Sequence, residues 1–150
     1  PEQAPPRGAP GQVMAESGLW ADVRGLDVRG LCPCGQGLPY EACCGRYIDG
    51  AAAAPTAETL MRSRYTAYVR GAGTYVAETW ADETRPADLA VDPSGEPFIR
   101  LVVLDTAGGG LFDAEGAVEF AAHHPGGVMR ERSRFERRAG RWVYVDGVVR

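Results

Sequence analysis

Apolar side chains recur at helical spacing in the middle of the chain. After Thr56 they fall three and four residues apart, on one face of a helix, and Gly71 stands where such a helix would end. Thr56 suits the N-cap, because its hydroxyl oxygen can accept a hydrogen bond from a free backbone N–H of the first turn. The pattern predicts a helix over 57–71 and a shorter one over 74–80.

Four segments of the C-terminal half have the pattern of strands. Residues 98–106 are apolar on both faces, as in a central strand, and residues 115–124 alternate. Residues 128–138 and 141–149 flank Ala139-Gly140, a dipeptide that indicates a tight hairpin. Helices followed by consecutive antiparallel strands predict an α+β domain with its helices packed on one face of a curved sheet.

Composition and charge narrow the class of protein. The chain has 150 residues, 45% of them hydrophobic and 24% charged, and a net charge of −4. These values are typical of one globular domain and argue against a fibrous chain or a nucleic-acid-binding polycation. No apolar stretch could span a membrane, and the first thirty residues lack the apolar core of a secretory signal. We therefore expect a cytoplasmic protein without a membrane segment.

All four cysteines lie close together in the sequence. They form two pairs, Cys32-Pro-Cys34 and Cys43-Cys44, separated by eight residues. Four such thiols can converge on one tetrahedral metal ion. The alternative is disulfide bonding between the two pairs, which a reducing compartment disfavours, while a bridge within either pair would be strained. An all-thiolate set favours zinc, with iron second, and it leaves no coordination position open for hydrolytic catalysis.

The cysteine segment also carries a family resemblance. CPCGQGLPYEACCG resembles the SEC-C motif, the zinc-binding knuckle at the end of the SecA translocation motor. Together with LMRSRYTAYVRG, ETW, LDTAGGGLFDAEGAVEFAA and RERSRFERRAGRWVYVDG, it resembles the YchJ-like family over about residues 31–148. The resemblance implies metal binding and a nuclear-transport-factor-2-like (NTF2-like, cystatin-like) α+β cone. We expect a flexible tail and lead-in at 1–30, a metal knuckle at 31–50 and the cone at 51–150.

A concavity is expected between the first helix and the sheet. Arg64 and Tyr65 fall on the apolar stripe of that helix, and strand alternation turns further polar and aromatic side chains towards it. The candidate pocket residues are Arg64, Tyr65, Trp80, Glu131, Ser133, Tyr144 and Asp146. The alternative is a structural ion pair of Arg64 with Glu131 or Asp146, because burying an unpaired charge costs several kcal/mol.

The strand over 128–138 and the turn after it are rich in arginine. Six arginines lie between residues 129 and 141. Such a stripe could bind RNA, but no aromatic side chains interleave with it for base stacking. We favour a solvated outer sheet face on which these arginines pair with Glu119 and neighbouring aspartates, so a nucleic-acid partner is not expected.

Three functional hypotheses follow from these features. The favoured one is a zinc-binding protein that acts by protein interaction, with a partner in protein export, among the chaperones or at the ribosome, as the SEC-C resemblance implies. The alternative is a small-molecule-binding protein or enzyme that uses the cavity of the cone. In the third hypothesis, the metal is purely structural and holds the N-terminal segment on the domain. By analogy with NTF2-like sheets, a homodimer is also expected.

Overall fold

The computed structural model describes residues 30–150, in which short helices precede an antiparallel sheet. The expected tail and lead-in fall outside this range, apart from Gly30. The first part contains a 3-10 turn at Tyr40–Ala42 and three helices: α1 (Gly45–Ile48), α2 (Ala57–Arg70) and α3 (Gly73–Glu78). The strands are β1 (Arg100–Gly108), β2 (Glu115–His124), β3 (Gly127–Arg138) and β4 (Arg141–Val149). Within the described part of the chain, no helix is long and apolar enough to cross a membrane.

Helix α2 begins and ends at the residues that the sequence predicts. The Thr56 hydroxyl oxygen accepts a hydrogen bond from the Thr59 backbone N–H at 3.1 Å, which satisfies a donor of the first turn. At the other end, Gly71 takes a left-handed conformation with φ 73°. A side chain there would also meet the Pro93 carbonyl oxygen at 2.4 Å, so only glycine fits.

Helix α3 is shorter than predicted, and this difference places Trp80. The helix ends at Glu78, and Trp80 forms a parallel bridge with Tyr144 of β4. The Tyr144 backbone N–H donates to the Thr79 carbonyl oxygen, and the Ala81 N–H donates to the Tyr144 carbonyl oxygen, both at 2.8 Å. The backbone on either side of Trp80 therefore pairs with β4 and does not continue the helix, so Trp80 lies against β4.

The four strands form one antiparallel sheet in the order β1-β2-β3-β4, with the helices packed on one face. The α+β class is thus confirmed. The expectation of a central strand at 98–106 is wrong: β1 is an edge strand and begins two residues later. Its two leucines differ in burial, because Leu101 is buried whereas Leu104 is exposed. Leu104 is the extra residue of a β-bulge, which interrupts the alternation.

The outer face of the sheet carries a ladder of ion pairs. Arg130 contacts Glu119 at 2.6 Å, and Arg132 contacts both Asp105 at 3.0 Å and Glu119 at 3.3 Å. The expected pairing of the arginine strand with Glu119 and an aspartate is therefore present, and these guanidinium groups have carboxylate partners on their own sheet.

The β3–β4 hairpin contains a strained alanine. Ala139 and Gly140 both have positive φ, 51° and 80°, as the right-handed twist of a two-residue hairpin turn requires. Alanine adopts this conformation at a cost that asparagine and glycine largely avoid.

Replacing Ala139 by asparagine is therefore expected to raise the free energy of unfolding by about 0.5–1 kcal/mol. Urea titration followed by circular dichroism measures the change. The matched control is Ala114→Asn, since Ala114 is exposed but has no positive φ. Equal effects of the two substitutions would show that backbone strain at Ala139 is not the cause.

Candidate metal centre and cavity

The four cysteine sulfurs form one buried cluster. Their Sγ atoms all lie within 4.8 Å of one another, and no cysteine is more than 4% exposed. Cys34 Sγ and Cys43 Sγ are 3.5 Å apart, which is far longer than a disulfide bond, and all four residues are free thiols. In a tetrahedral zinc site with Zn–S bonds of about 2.3 Å, neighbouring sulfurs are roughly 3.8 Å apart. The donor set and its spacing fit a closed metal site.

Two turns bring the cysteine pairs together. The Cys32 backbone N–H donates to the Leu38 carbonyl oxygen at 2.8 Å and closes the first turn, in which Gly35 and Gly37 both have positive φ. In the second, the Cys43 N–H donates to the Tyr40 carbonyl oxygen at 3.0 Å. The chain then enters α1 directly, and this order of turns aims both pairs at one point.

Neighbouring thiols shift one another's protonation. Hydrogen bonds from the Cys34 and Cys44 thiols stabilise a thiolate at Cys32 and lower its pKa. Burial, followed by hydrogen bonding and charge at Cys34, raises the pKa of Cys43 to about 12. Without a cation, the cluster therefore holds one negative charge readily and resists further ionisation, because adjacent thiolates repel. A bound metal cation would reverse this preference.

Helix α2 holds the knuckle through three side chains. Arg62 Nη1 donates to the Cys34 carbonyl oxygen at 2.9 Å, and Thr66 Oγ1 lies 3.6 Å from Cys32 Sγ. One turn further on, the Arg70 guanidinium stacks on the Tyr40 ring at 3.8 Å from the ring centroid. The thiol cluster is therefore packed against the helix, and its outer contacts orient the ligands.

On another side of α2, a cavity of about 340 Å³ lies between this helix and the inner face of the sheet. Its walls are mostly aromatic and apolar, and its volume is at the lower end of small-molecule sites. Six of the seven predicted pocket residues line it: Arg64, Tyr65, Trp80, Glu131, Ser133 and Tyr144.

Glu131 is held on the strand side of the cavity. Its Oε2 accepts hydrogen bonds from the Ser133 hydroxyl at 2.7 Å and the Tyr144 hydroxyl at 3.0 Å. Gly147 makes room for this carboxylate, since a Cβ at Gly147 would lie 2.2 Å from Glu131 Oε2. Burial, with the nearby Glu131 charge, raises the pKa of Tyr144, so its phenol remains a donor to Glu131.

Arg64 is buried on the helical side, with 6% of its surface exposed. Its Nη1 donates to the Val76 carbonyl oxygen at 2.9 Å and to Thr79 Oγ1 at 2.6 Å. The guanidinium lies between two rings, 5.0 Å from the Trp80 centroid and 4.7 Å from that of Tyr144. Within residues 30–150, no carboxylate pairs with it, so the alternative of an ion pair with Glu131 or Asp146 is wrong.

Asp146 does not belong to the cavity. A bulge between Arg134 and Phe135 places Phe135 opposite Tyr144 but Arg134 opposite Asp146, so Val145 is the extra residue. The bulge reverses the alternation of β4, and Asp146 emerges on the outer face. There both of its oxygens accept hydrogen bonds from Arg134 at 2.9 Å. The expectation that Asp146 shares the concavity is therefore wrong.

Sequence reasoning did not place eight of the lining residues in the cavity, and Tyr68, Glu96 and Phe98 are three of them. Tyr68 lies one turn after Arg64 on the same helical stripe, and that spacing was the signal that could have identified it. Glu96 and Phe98 come from the irregular segment before β1, where no periodic pattern exists. The backbone N–H of Glu96 donates to the Tyr68 carbonyl oxygen at 2.8 Å, which fixes this segment at the end of α2.

Two solved structures of SEC-C motif containing proteins are similar to this chain. The solution structure of RPA3114, a SEC-C motif containing protein from Rhodopseudomonas palustris, is similar with a TM-score of 0.66 and 35% identity. That match covers 78% of this chain and 96% of RPA3114. The crystal structure of a SEC-C motif containing protein from Psychrobacter arcticus gives a TM-score of 0.63 and 26% identity, covering 77% and 80% of the two chains.

Sequence comparison identifies the family. The family model for the middle, NTF2-like domain of YchJ matches residues 56–147. The chain is 55% identical to UPF0225 protein SCO1677 of Streptomyces coelicolor over 116 residues, which cover 77% of this chain and 93% of that protein. It is 53% identical to UPF0225 protein CE1570 of Corynebacterium efficiens over 121 residues, 79% and 92% of the two chains. The predicted family and NTF2-like fold are thus confirmed: the chain belongs to the YchJ-like family.

Proposed function

We propose that this protein binds one zinc ion through Cys32, Cys34, Cys43 and Cys44, and that the metal is structural. The observation that carries the proposal is the closed, buried cluster of four sulfurs within 4.8 Å of one another. Four thiolates complete a tetrahedral shell, so the ion would have no position left for a substrate. Iron is the second metal that this ligand set would accept.

The proposed role of the metal-held knuckle is to contact another protein in the cytoplasm. Its tip, residues 35–39, is exposed and presents Leu38 with 45% of its surface accessible. A bound metal would hold this turn in one conformation, so Leu38 would reach a partner with little ordering of the chain on binding. The resemblance of the cysteine segment to the SEC-C motif of the SecA translocation motor favours a partner in export, among the chaperones or at the ribosome.

The test compares three forms of the chain, purified from its own host. We expect the unaltered protein to carry one zinc per chain by native mass spectrometry, which also counts its subunits, and to cosediment with ribosomes or retain an export factor or chaperone. Leu38→Ser should keep the zinc and lose the partner, whereas Cys43→Ser with Cys44→Ser should lose both.

The matched control is Leu111→Ser, because Leu111 is also exposed but lies in the β1–β2 connection. It should keep zinc and partner alike. Iron in place of zinc would contradict the metal assignment. Retention of the same partner by the Leu38 variant and the double cysteine variant would contradict the proposed role of the knuckle.

The cavity favours a second function, the binding of a small molecule. The supporting observation is that the aromatic cavity contains a buried arginine without a carboxylate partner among the described residues. Convergent polar groups in an apolar cavity are typical of ligand sites. This function is compatible with a structural metal, because the knuckle and the cavity contact different side chains of α2.

A further inference from the structure

The part of the cavity wall formed by Arg64 of α2 and by Trp80 has hydrogen-bond donors without acceptors among the described residues. Arg64 uses only Nη1 for its hydrogen bonds to other residues of 30–150, so its Nε–H and Nη2–H groups make none there. Trp80 also lines the cavity, and its Nε1–H is buried without an acceptor among the described residues. Buried donors normally have partners, and Trp80 Nε1–H has none among the described residues, so this wall lacks an acceptor at that point.

The protein compensates the charge of Arg64 only weakly. Burial lowers the pKa of Arg64, and the negative charge of Glu131 opposes this effect. The Glu131 carboxylate is already bound to Ser133 and Tyr144 on the strand side. Arg64 and Trp80 therefore form a donor-rich wall, whereas the Glu131 carboxylate is held by Ser133 and Tyr144 on the strand side.

We propose that the cavity binds a small carboxylate carried on an aromatic or apolar body, with the carboxylate at Arg64 and Trp80. The inference rests on the second proposed function, small-molecule binding. A planar guanidinium matches a carboxylate in geometry and charge, and such charge-assisted bonds strengthen when water is excluded. The apolar body would lie against Met61, Phe98, Phe120 and Phe135, which line the remaining wall.

Four benzene derivatives of similar size test the charge and donor pattern of the ligand. Benzoate, benzamide, benzyl alcohol and benzylamine differ only in their polar group. They are titrated into the full zinc-loaded chain, and binding is followed by NMR chemical-shift changes and tryptophan fluorescence. We expect benzoate to bind about tenfold or more tightly than benzamide, because charged hydrogen bonds are roughly twice as strong as neutral ones. Benzylamine should bind weakest, since its cation would face Arg64.

Variants assign the preference to the donor-rich wall. Trp80→Phe keeps an aromatic ring, though a smaller one, and removes the Nε1 donor, whereas Arg64→Gln removes the charge. We expect each substitution to weaken benzoate binding severalfold and benzamide binding less. The matched control is Arg134→Gln, which removes an arginine from the outer face, where it pairs with Asp146. It should leave benzoate binding unchanged. If Arg64→Gln does not fold, as judged by circular dichroism, Trp80→Phe carries the test.

The outcomes separate this proposal from the function on which it rests. Benzamide or benzylamine binding as tightly as benzoate would contradict the carboxylate assignment and leave small-molecule binding intact. Benzoate binding that survives both Trp80→Phe and a folded Arg64→Gln would place the anion elsewhere and also overturn the proposal. Failure of all four compounds to bind would contradict the small-molecule function itself.

Discussion

Replacing Cys44 by serine is expected to abolish stoichiometric zinc binding and to lower the free energy of unfolding by several kcal/mol. Cys44 is 1% exposed and immediately precedes α1, so its sulfur has no freedom to move away. Structural zinc contributes about 10–16 kcal/mol in zinc-finger peptides, and losing one of four ligands removes a substantial part of such a contribution. A serine hydroxyl does not replace a thiolate at this ion.

The measurement is urea unfolding followed by circular dichroism, with and without a zinc chelator, together with the zinc content of each sample. We expect the chelator to destabilise the unaltered protein towards the level of Cys44→Ser and to change the variant little. Glu41→Gln is the control, since Glu41 is an exposed residue of the same knuckle. A Cys44→Ser protein that remained as stable as the unaltered chain, with one zinc bound, would show that the cluster is not the metal site.

Truncating Phe135 to alanine is expected to cost about 3–5 kcal/mol of unfolding free energy, the usual range for a buried phenylalanine. Phe135 is 1% exposed and packs edge-on against Tyr144, with ring centroids 5.8 Å apart. Its removal takes away apolar burial and leaves a void beside the cavity. Tyr144 would lose a neighbour that orients its hydroxyl towards Glu131.

The matched control for Phe135→Ala is Val128→Ala on the same strand. Val128 is 55% exposed, so its truncation is expected to change the unfolding free energy by no more than about 0.5 kcal/mol. The midpoints of urea unfolding, compared at constant m-value, give the change in unfolding free energy for both variants. Zinc content should stay unchanged in both variants, because neither residue touches the knuckle. A cost below about 1 kcal/mol for Phe135→Ala would mean that the cavity wall can collapse onto the void.

The sequence predicted those features of the fold that depend on residues close together in the chain. Thr56 and Gly71 bound α2 because a cap hydroxyl and a left-handed glycine act over a few residues. The four cysteines were identified because metal-ligand chemistry needs a short, regular spacing. Apart from Trp80, the pocket candidates that line the cavity do so because strand alternation and helical periodicity hold up to the first irregularity.

Long-range pairing accounts for what the sequence did not reveal. Asp146 was misplaced by a single bulged residue, Val145, since one inserted residue turns every later side chain of a strand to the opposite face. Whether β1 is an edge or a central strand depends on what covers it, and its apolar composition does not show this. Trp80 lies outside its predicted helix because its backbone pairs with Tyr144, more than sixty residues later in the chain.

The position of α2 has a consequence for how the molecule holds together. The thiol side chains and Tyr40 belong to the same apolar core as Leu60, Val118 and Phe135, with the helix as their shared wall. The middle of α2 thus has almost no side that faces water. The thiol cluster and the sheet therefore pack on different sides of one helix, and the knuckle could not open alone without exposing the side of that helix.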